Sequence, residues 1–367
     1  MLVAGIMTGT SVDAIDIATC DIESKGGRHA VSLRSFTSSP FSEDLRELIL
    51  RCMSGQASLE ELSDLPFALA HAYAECFGVH CAEHNVQPEL IAVHGQTLWH
   101  HPPVSTWQAG SGPALSALVK LPVVSDFRSA DVAVGGQGAP LVPFYDHAVY
   151  GHDSIDRVAL NIGGMANMTV LPAGAGIETL VAFDCGPGNI WMDHAARITY
   201  GKSYDTNGSI ARAGRVLNPM LAAMSSMPYF AMDPPKSTGR ELFTTQELQR
   251  LVTKYSHPSS PLEDVLTTVT ELTAWSIVDH LQRYASNCHD VIISGGGSQN
   301  SYLIERIDEL SQESGSTWTI SVDPLWAEKE AMAFAYLGWR TTHGLPGNVP
   351  SVTGALRQVV LGTIARA

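Results

Sequence analysis

The run Val181-Ala182-Phe183-Asp184-Cys185-Gly186-Pro187-Gly188-Asn189 carries an apolar strand into one carboxylate and then directly into a Gly-Pro-Gly turn. An acid in that place is fixed by the strand and lies beside backbone that a ligand can approach. Three further glycine-bearing turns follow apolar strands: Met7-Thr8-Gly9-Thr10-Ser11-Val12-Asp13, Asn161-Ile162-Gly163-Gly164-Met165-Ala166-Asn167 and Ser294-Gly295-Gly296-Gly297-Ser298. Glycine reaches positive φ at little cost and lets anionic oxygens come close to peptide N–H groups. Four such turns around one strand-borne acid point to phosphate chemistry on an α/β scaffold.

Working outward, Leu2 to Ile6 and Ala14 to Ile22 read as a hairpin with a wide, hydroxyl-rich turn. Val158 to Ile162 and Met168 to Leu171 repeat that plan about 150 residues later, the period of a whole domain. Leu59 to His84, Leu262 to Tyr284 and Glu328 to Thr342 carry helical periodicity, and Asp290 to Ser294 is a strand leading into the triple glycine. Strands alternate with helices, as in α/β architecture.

A chain of 367 residues exceeds one ordinary hydrophobic core, so two domains are expected. A net charge of −15 disfavours nucleic acid or an anionic membrane as partner, since both attract basic surfaces. No apolar run reaches the roughly 20 residues that span a bilayer, and Met1 to Met7 is too short for a signal peptide, so a cytoplasmic protein is expected. The six cysteines show no Cys-x-x-Cys pair and are expected as reduced thiols. His94, His100 and His101 lack zinc-site spacing.

Two familiar motifs fail. Gly201-Lys202-Ser203 suggests a Walker A loop, but Ala196 stands where a glycine is required and a helical stretch precedes it. There is no Gly-x-Gly-x-x-Gly after the first strand with an acid placed for a ribose, so a Rossmann dehydrogenase is unsupported.

The two hairpin turns and the Gly295-Gly296-Gly297 turn look like the phosphate and adenosine loops of the superfamily of sugar kinases, actin and Hsp70 (ASKHA). Within it the chain resembles the anhydro-N-acetylmuramic acid kinase family nearly end to end. The matching segments include His94-Gly95-Gln96-Thr97-Leu98-Trp99-His100, Asp126-Phe127-Arg128, Gly135-Gly136-Gln137-Gly138-Ala139-Pro140, Gly186-Pro187-Gly188-Asn189, Lys236-Ser237-Thr238-Gly239-Arg240-Glu241 and Leu345-Pro346-Gly347-Asn348-Val349-Pro350. Cys185 departs from an expected Thr, Ser129-Ala130 from a more basic pair, and Pro324-Leu325-Trp326 from the expected approach to Glu330.

The resemblance implies an α/β fold of two ribonuclease-H-like domains (actin/Hsp70/hexokinase type) around a central cleft, with residues 1–127 plus 350–367 in the first and 128–349 in the second. It implies use of ATP, with Mg²⁺, and water to open the 1,6-anhydro bridge of anhydro-N-acetylmuramic acid and phosphorylate O6, in cell-wall recycling. Asp184 is then the base that activates water; the residues alone also allow it to cap its own turn. Gly9, Thr10, Ser11, Val12, Asp13, Ala14, Ile15 and Asp16, with Gly163, Gly164, Gly295, Gly296 and Gly297, are the implied nucleotide residues. Asp13 or Asp16 would meet magnesium through water, and its ligands are otherwise unassigned.

His94, Gln96, Arg128 and Glu330 are the implied sugar residues, with Arg128 suited to a carboxylate. His94 as a core histidine, Arg128 as a surface ion-pair residue and Glu330 as a solvated helix charge stay open, and Trp99 and Trp107 suit either a sugar face or a core. A thiol at 185 beside the base predicts sensitivity to alkylation. An ordinary N-acetylhexosamine kinase and a sugar-independent ATPase of the Hsp70/actin type are the alternatives. The 23 residues after Gly344 are few for a peptide-binding domain, and a homodimer is expected on base rates.

Overall fold

The computed structural model describes residues 1–25, 28–239, 241–257 and 261–367; Arg240 of the quoted Lys-Ser-Thr-Gly-Arg-Glu segment lies outside them. Its strands are β1 (Leu2–Met7), β2 (Ala14–Lys25), β3 (Arg28–Pro40), β4 (Leu90–Val93), β5 (Gln96–His101), β6 (Ser105–Ala109), β7 (Val123–Ser125), β8 (Arg157–Ile162), β9 (Met165–Leu171), β10 (Val181–Pro187), β11 (Asp290–Ser294), β12 (Thr319–Val322) and β13 (Thr363–Ala365).

Two sheets repeat one topology. The first runs β13-β7-β4-β1-β2-β3 and the second β10-β9-β8-β11-β12. In each, a meander of three antiparallel strands is extended by parallel strands beside its first member: β4 then β7 beside β1, β11 then β12 beside β8. This order, 3-2-1-4-5 with the second strand reversed, is that of the ribonuclease-H-like fold. The hairpin repeat visible in the sequence is therefore β1–β2 against β8–β9.

The central strands are buried along their length because helices cover them. In β1, Val3 to Ile6 are buried, and an added Cβ on Gly5 would fall 1.9 Å from the carbonyl oxygen of Ala331 on the helix Lys329–Thr342. Strand and helix thus meet backbone to backbone, which only glycine permits. Gly338 of the same helix lies against Ala92 of β4, where a Cβ would sit 2.4 Å from the Ala92 methyl. On the first sheet Ile6, Ile15, Ile17, Leu65, Leu69 and Ile91 share one core, and in the second unit Phe183, Trp191, Leu272 and Ile293 share another.

The helices begin and end where local chemistry requires. Ser58 and Glu61 form a reciprocal capping box at Leu59–His84, which closes on left-handed Asn85. Asn300 caps Ser301–Glu313 by accepting from the Leu303 N–H. Gly201 is the left-handed cap of Asn189–Tyr200, which accounts for the failed Walker A reading.

Two compact units result: Met1–Val149 with Glu328–Ala367, and Tyr150–Ala327. The expected boundaries, 127/128 and 349/350, thus fall about 22 residues from the observed ones, because both segments pack within the first unit. Lys329–Thr342 covers β1 and β4 as above. Residues after Arg128 are tied in by buried Asp131, whose carboxylate accepts from the Gly138 N–H (2.7 Å), the Asn348 amide (2.7 Å) and the Thr353 hydroxyl (2.8 Å). Among the described residues, no helix is long and apolar enough to cross a membrane.

Candidate active site

Asp184 sits near the end of β10, at an irregularity where Asp184 pairs with Asn167 and Gly186 with Ala166. Cys185 is the extra residue, and the bulge re-aims the strand just after the acid. The Asp184 N–H donates to the Lys236 carbonyl (3.2 Å), its carbonyl accepts from the Tyr229 hydroxyl (2.8 Å), and Oδ2 accepts from the Thr238 N–H (2.8 Å). The acid is thus held by the 229–238 segment; no bond to Gly186 or Gly188 makes it a cap of its own turn. Oδ1 carries no hydrogen bond among the described residues. Burial is the main cause that lifts this carboxyl to about 6; Glu241 raises it further, while the Thr238 N–H and Lys236 oppose the rise.

Three glycine turns of this unit converge beside it. Gly188, Asn189 and Ile190 donate their N–H groups to the carbonyls of Gly164, Gly163 and Gly164, so the start of Asn189–Tyr200 is capped by the β8–β9 turn. A Cβ on Gly188 would lie 2.3 Å from the Gly163 oxygen. Gly295 (φ +81) and Gly297 pack on Ile162, where Cβ atoms would fall 2.7 Å from its oxygen and 2.3 Å from its Cγ2. The Gly163 N–H is spent on the Met165 carbonyl, whereas that of Gly164, exposed with open space around it, carries no bond among the described residues.

In the first unit, the turn between β1 and β2 presents Gly9, Thr10 and Ser11 with backbone N–H groups that carry no hydrogen bond among the described residues. Val12, buried and left-handed (φ 58), anchors it by donating to the Gly9 carbonyl. The Gln96 amide donates to that same carbonyl (3.2 Å), and the Thr8 hydroxyl to the Gly95 carbonyl (3.1 Å). Gln96, fully buried, therefore supports this turn. Ala14, Ile15 and Asp16 belong to β2; Ile15 is buried, and Asp16 accepts from the Ser38 hydroxyl (2.6 Å). Burial, then Asp13 and Glu328, raise the Asp16 carboxyl against the pull of Ser38.

His94 is buried and takes Nε and Nη2 of Arg128 on its Nε2, while Nη1 of Arg128 reaches the Gly138 carbonyl (2.6 Å). Burial first, then Arg128, hold the imidazole well below its usual range, so it is neutral. Glu330 opens the helix Lys329–Thr342 and keeps exposed surface; the crowding protein raises its carboxyl, and Lys329 and Arg128 draw it down. Trp99 and Trp107 are cross-strand partners on the β5–β6 hairpin and are exposed, at 58% and 41%, so neither fills a core.

Among the described residues no group of three or more His, Cys, Asp or Glu side chains is placed to hold a metal ion. Unengaged amides on glycine turns fit phosphate oxygens, and Gly295 and Gly297 are required because side chains there would collide with Asn161, Ile162 and Asn189.

A family model for anhydro-N-acetylmuramic acid kinase matches residues 1–367. The chain belongs to that family. The anhydro-N-acetylmuramic acid kinase of Bacillus cereus (strain AH820) is 39% identical over 379 residues, covering 99% of each chain. The protein of that name from Bacillus thuringiensis (strain Al Hakam) is also 39% identical over 379 residues, covering 99% of this chain and 98% of its own.

Sequence reasoning in terms of this kinase family missed Tyr229 and His280 and assigned no role to Lys236, although all three brace Asp184 or its neighbours. The Lys-Ser-Thr-Gly segment signalled Lys236; nothing in sequence spacing signalled the other two. Cys185 is also corrected. It is fully buried in the core of the second unit and its thiol is pushed well up, by burial first and then by Asp184, so it does not face reagents.

Proposed function

We propose that this chain uses ATP and water to open the 1,6-anhydro ring of anhydro-N-acetylmuramic acid, giving N-acetylmuramic acid 6-phosphate and ADP. Family membership supports a phosphotransferase acting on an alcohol oxygen. The observation that carries the hydrolytic half is Asp184, with Oδ2 held by Thr238, Oδ1 without a hydrogen bond among the described residues and a carboxyl near 6. A base tuned close to neutrality and fixed on a strand suits proton removal from water.

Oδ1 takes one proton as the water oxygen bonds to C1, the C1–O6 bond breaks, and the electron pair leaves on O6, which accepts the phosphoryl group. Asp184 then returns its proton to solvent. Within the second unit the Gly164 N–H suits a phosphate oxygen and the Gly295–Gly297 turn suits the nucleoside; taken by itself, the Gly9-Thr10-Ser11 turn of the first unit likewise offers N–H groups suited to phosphate. Mg²⁺, when bound, would supply positive charge to the phosphates, and Asp13 or Asp16 would hold it through water. Arg128, oriented by His94, pairs with the sugar carboxylate, and Glu330 orients the sugar or water. We place the enzyme in the cytoplasm, as a homodimer, in peptidoglycan recycling.

The test is turnover in ¹⁸O-water with rapid sampling and a preformed product standard for exchange. The expected product is a reducing sugar 6-phosphate with one label at the anomeric carbon and none in the phosphoryl group. An intact bridge would indicate an ordinary N-acetylhexosamine kinase; labelled inorganic phosphate would indicate a sugar-independent ATPase.

A further inference from the structure

The 229–238 segment holds Asp184 from one side, and the side chain of Lys236 in turn holds that segment. Lys236 is buried, and its Nζ donates to Nε2 of His280 (2.7 Å) and to the Tyr229 carbonyl (3.2 Å) while lying 4.8 Å from the centroid of the Tyr229 ring. His280, with no exposed surface, donates Nδ1–H to the Ser276 carbonyl (2.6 Å), so its Nε2 lone pair is free for the ammonium. Burial is the first cause that lowers this imidazole to about 4, which keeps it neutral.

A buried lysine is costly unless its donors are met. A core that only needed filling would place an apolar side chain here. Tyr229 and Lys236 are also the residues whose hydroxyl and carbonyl meet the Asp184 main chain, and Thr238 is two residues beyond Lys236. One ammonium therefore ties the strap that fixes the acid by its Oδ2 side, with Oδ1 unengaged among the described residues.

We propose that Lys236 is a positioning residue for the hydrolytic step, clamping the 229–238 strap to His280 so that Asp184 presents Oδ1 to water. This rests on the reading of Asp184 as the base. The ammonium also acts through its charge, since it favours the ionised Asp184. Glu241 and Tyr229 face the carboxylate, while Arg283, Asp279, Asp233, Cys185 and His280 surround the ammonium; of these, Glu241 opposes the effect of Lys236 on Asp184.

The test compares wild type, Lys236→Met, His280→Leu, His280→Gln and Asp184→Asn in steady-state kinetics from pH 5 to 9. Lys236→Met is expected to lower kcat by about 10- to 100-fold, the scale of a misplaced catalytic group, with KM for ATP within about twofold. The acid limb of its kcat profile should move to higher pH. His280→Leu should lower kcat in the same sense, and His280→Gln, which keeps an acceptor for the ammonium, should recover most of it. These two variants decide the matter should Lys236→Met fail to fold. Unchanged kcat and acid limb in Lys236→Met, or equal losses in His280→Leu and His280→Gln, would overturn the proposal. If Asp184→Asn is inactive while Lys236→Met behaves as wild type, only the positioning role fails; active Asp184→Asn removes the base assignment itself.

Discussion

Arg128 places Nε and Nη2 at 3.1 and 2.9 Å from the single nitrogen Nε2 of His94. A histidine that accepts from an arginine must be neutral there, so its proton is on Nδ1. The pair therefore fixes the guanidinium plane without neutralising its charge, and the cation stays available to an anionic substrate group. Burial pushes the guanidinium down to about 10, with Glu330 and Asp131 drawing it up, so it remains charged at neutral pH.

His94→Phe and Arg128→Lys should each raise KM for the sugar by about tenfold or more, because a planar, oriented fork is lost. KM for ATP should change little. Steady-state kinetics with each substrate varied in turn checks this, and an equal effect on both KM values would show that the pair serves the fold instead of the sugar.

The Asp184 carboxyl near 6 yields both a pH profile and a stability effect. Activity should rise with pH through about 6 as the base ionises. His94, held neutral, should contribute no step near its ordinary value. For stability, the folded state holds this proton more tightly than the unfolded chain, so native stability is fullest below the unfolded pKa of about 4 and declines as pH rises through about 6. Asp184→Asn should thus abolish turnover yet raise thermal stability at pH 8, by up to about 2 kcal/mol. Calorimetry at pH 5 and 8 should show a larger gain at pH 8; a loss at both would refute the linkage.

Gly188→Ala and Gly164→Ala form a contrasting pair. The first drives a methyl to 2.3 Å from the Gly163 oxygen, where only backbone can yield, and should cost about 1 to 3 kcal/mol and weaken ATP binding. The second enters open space and should leave stability within about 0.5 kcal/mol. Denaturant melts and nucleotide titrations separate them; equal destabilisation would mean that the turn is not clamped as described.

Thiol labelling of the folded protein should mark half-buried Cys76 and Cys81 well before Cys185. Peptide mapping by mass reads the order. Rapid labelling at Cys185 without unfolding would contradict its place in the core.

Much of this was legible in the sequence because glycine and apolar periodicity report on backbone directly. The β1–β2 and β8–β9 hairpins, the strand Asp290–Ser294 and the helix Leu59–His84 all lie where periodicity places them. The domain boundaries were not, because the affinity of Lys329–Thr342 for β1 depends on Gly5 meeting Ala331, a contact more than three hundred residues apart in sequence. Cys185 was misread for a related reason: a bulge turns alternate side chains, and nothing local in Asp-Cys-Gly-Pro announces one. His280 lies on a buried helix whose sequence gives no sign that its ring nitrogen meets an ammonium.

The close approach of Gly5 to Ala331 bears on how the chain is made. During synthesis β1 emerges first, yet the helix that covers it follows only after the whole of Tyr150–Ala327 has been translated. The second unit is one uninterrupted stretch and is free to fold while the ribosome is still working, whereas the first waits with its central strand uncovered. A nascent chain arrested before residue 328 therefore lacks the helix Lys329–Thr342 whose backbone meets that of β1, and the first unit cannot close its core until that helix has been made.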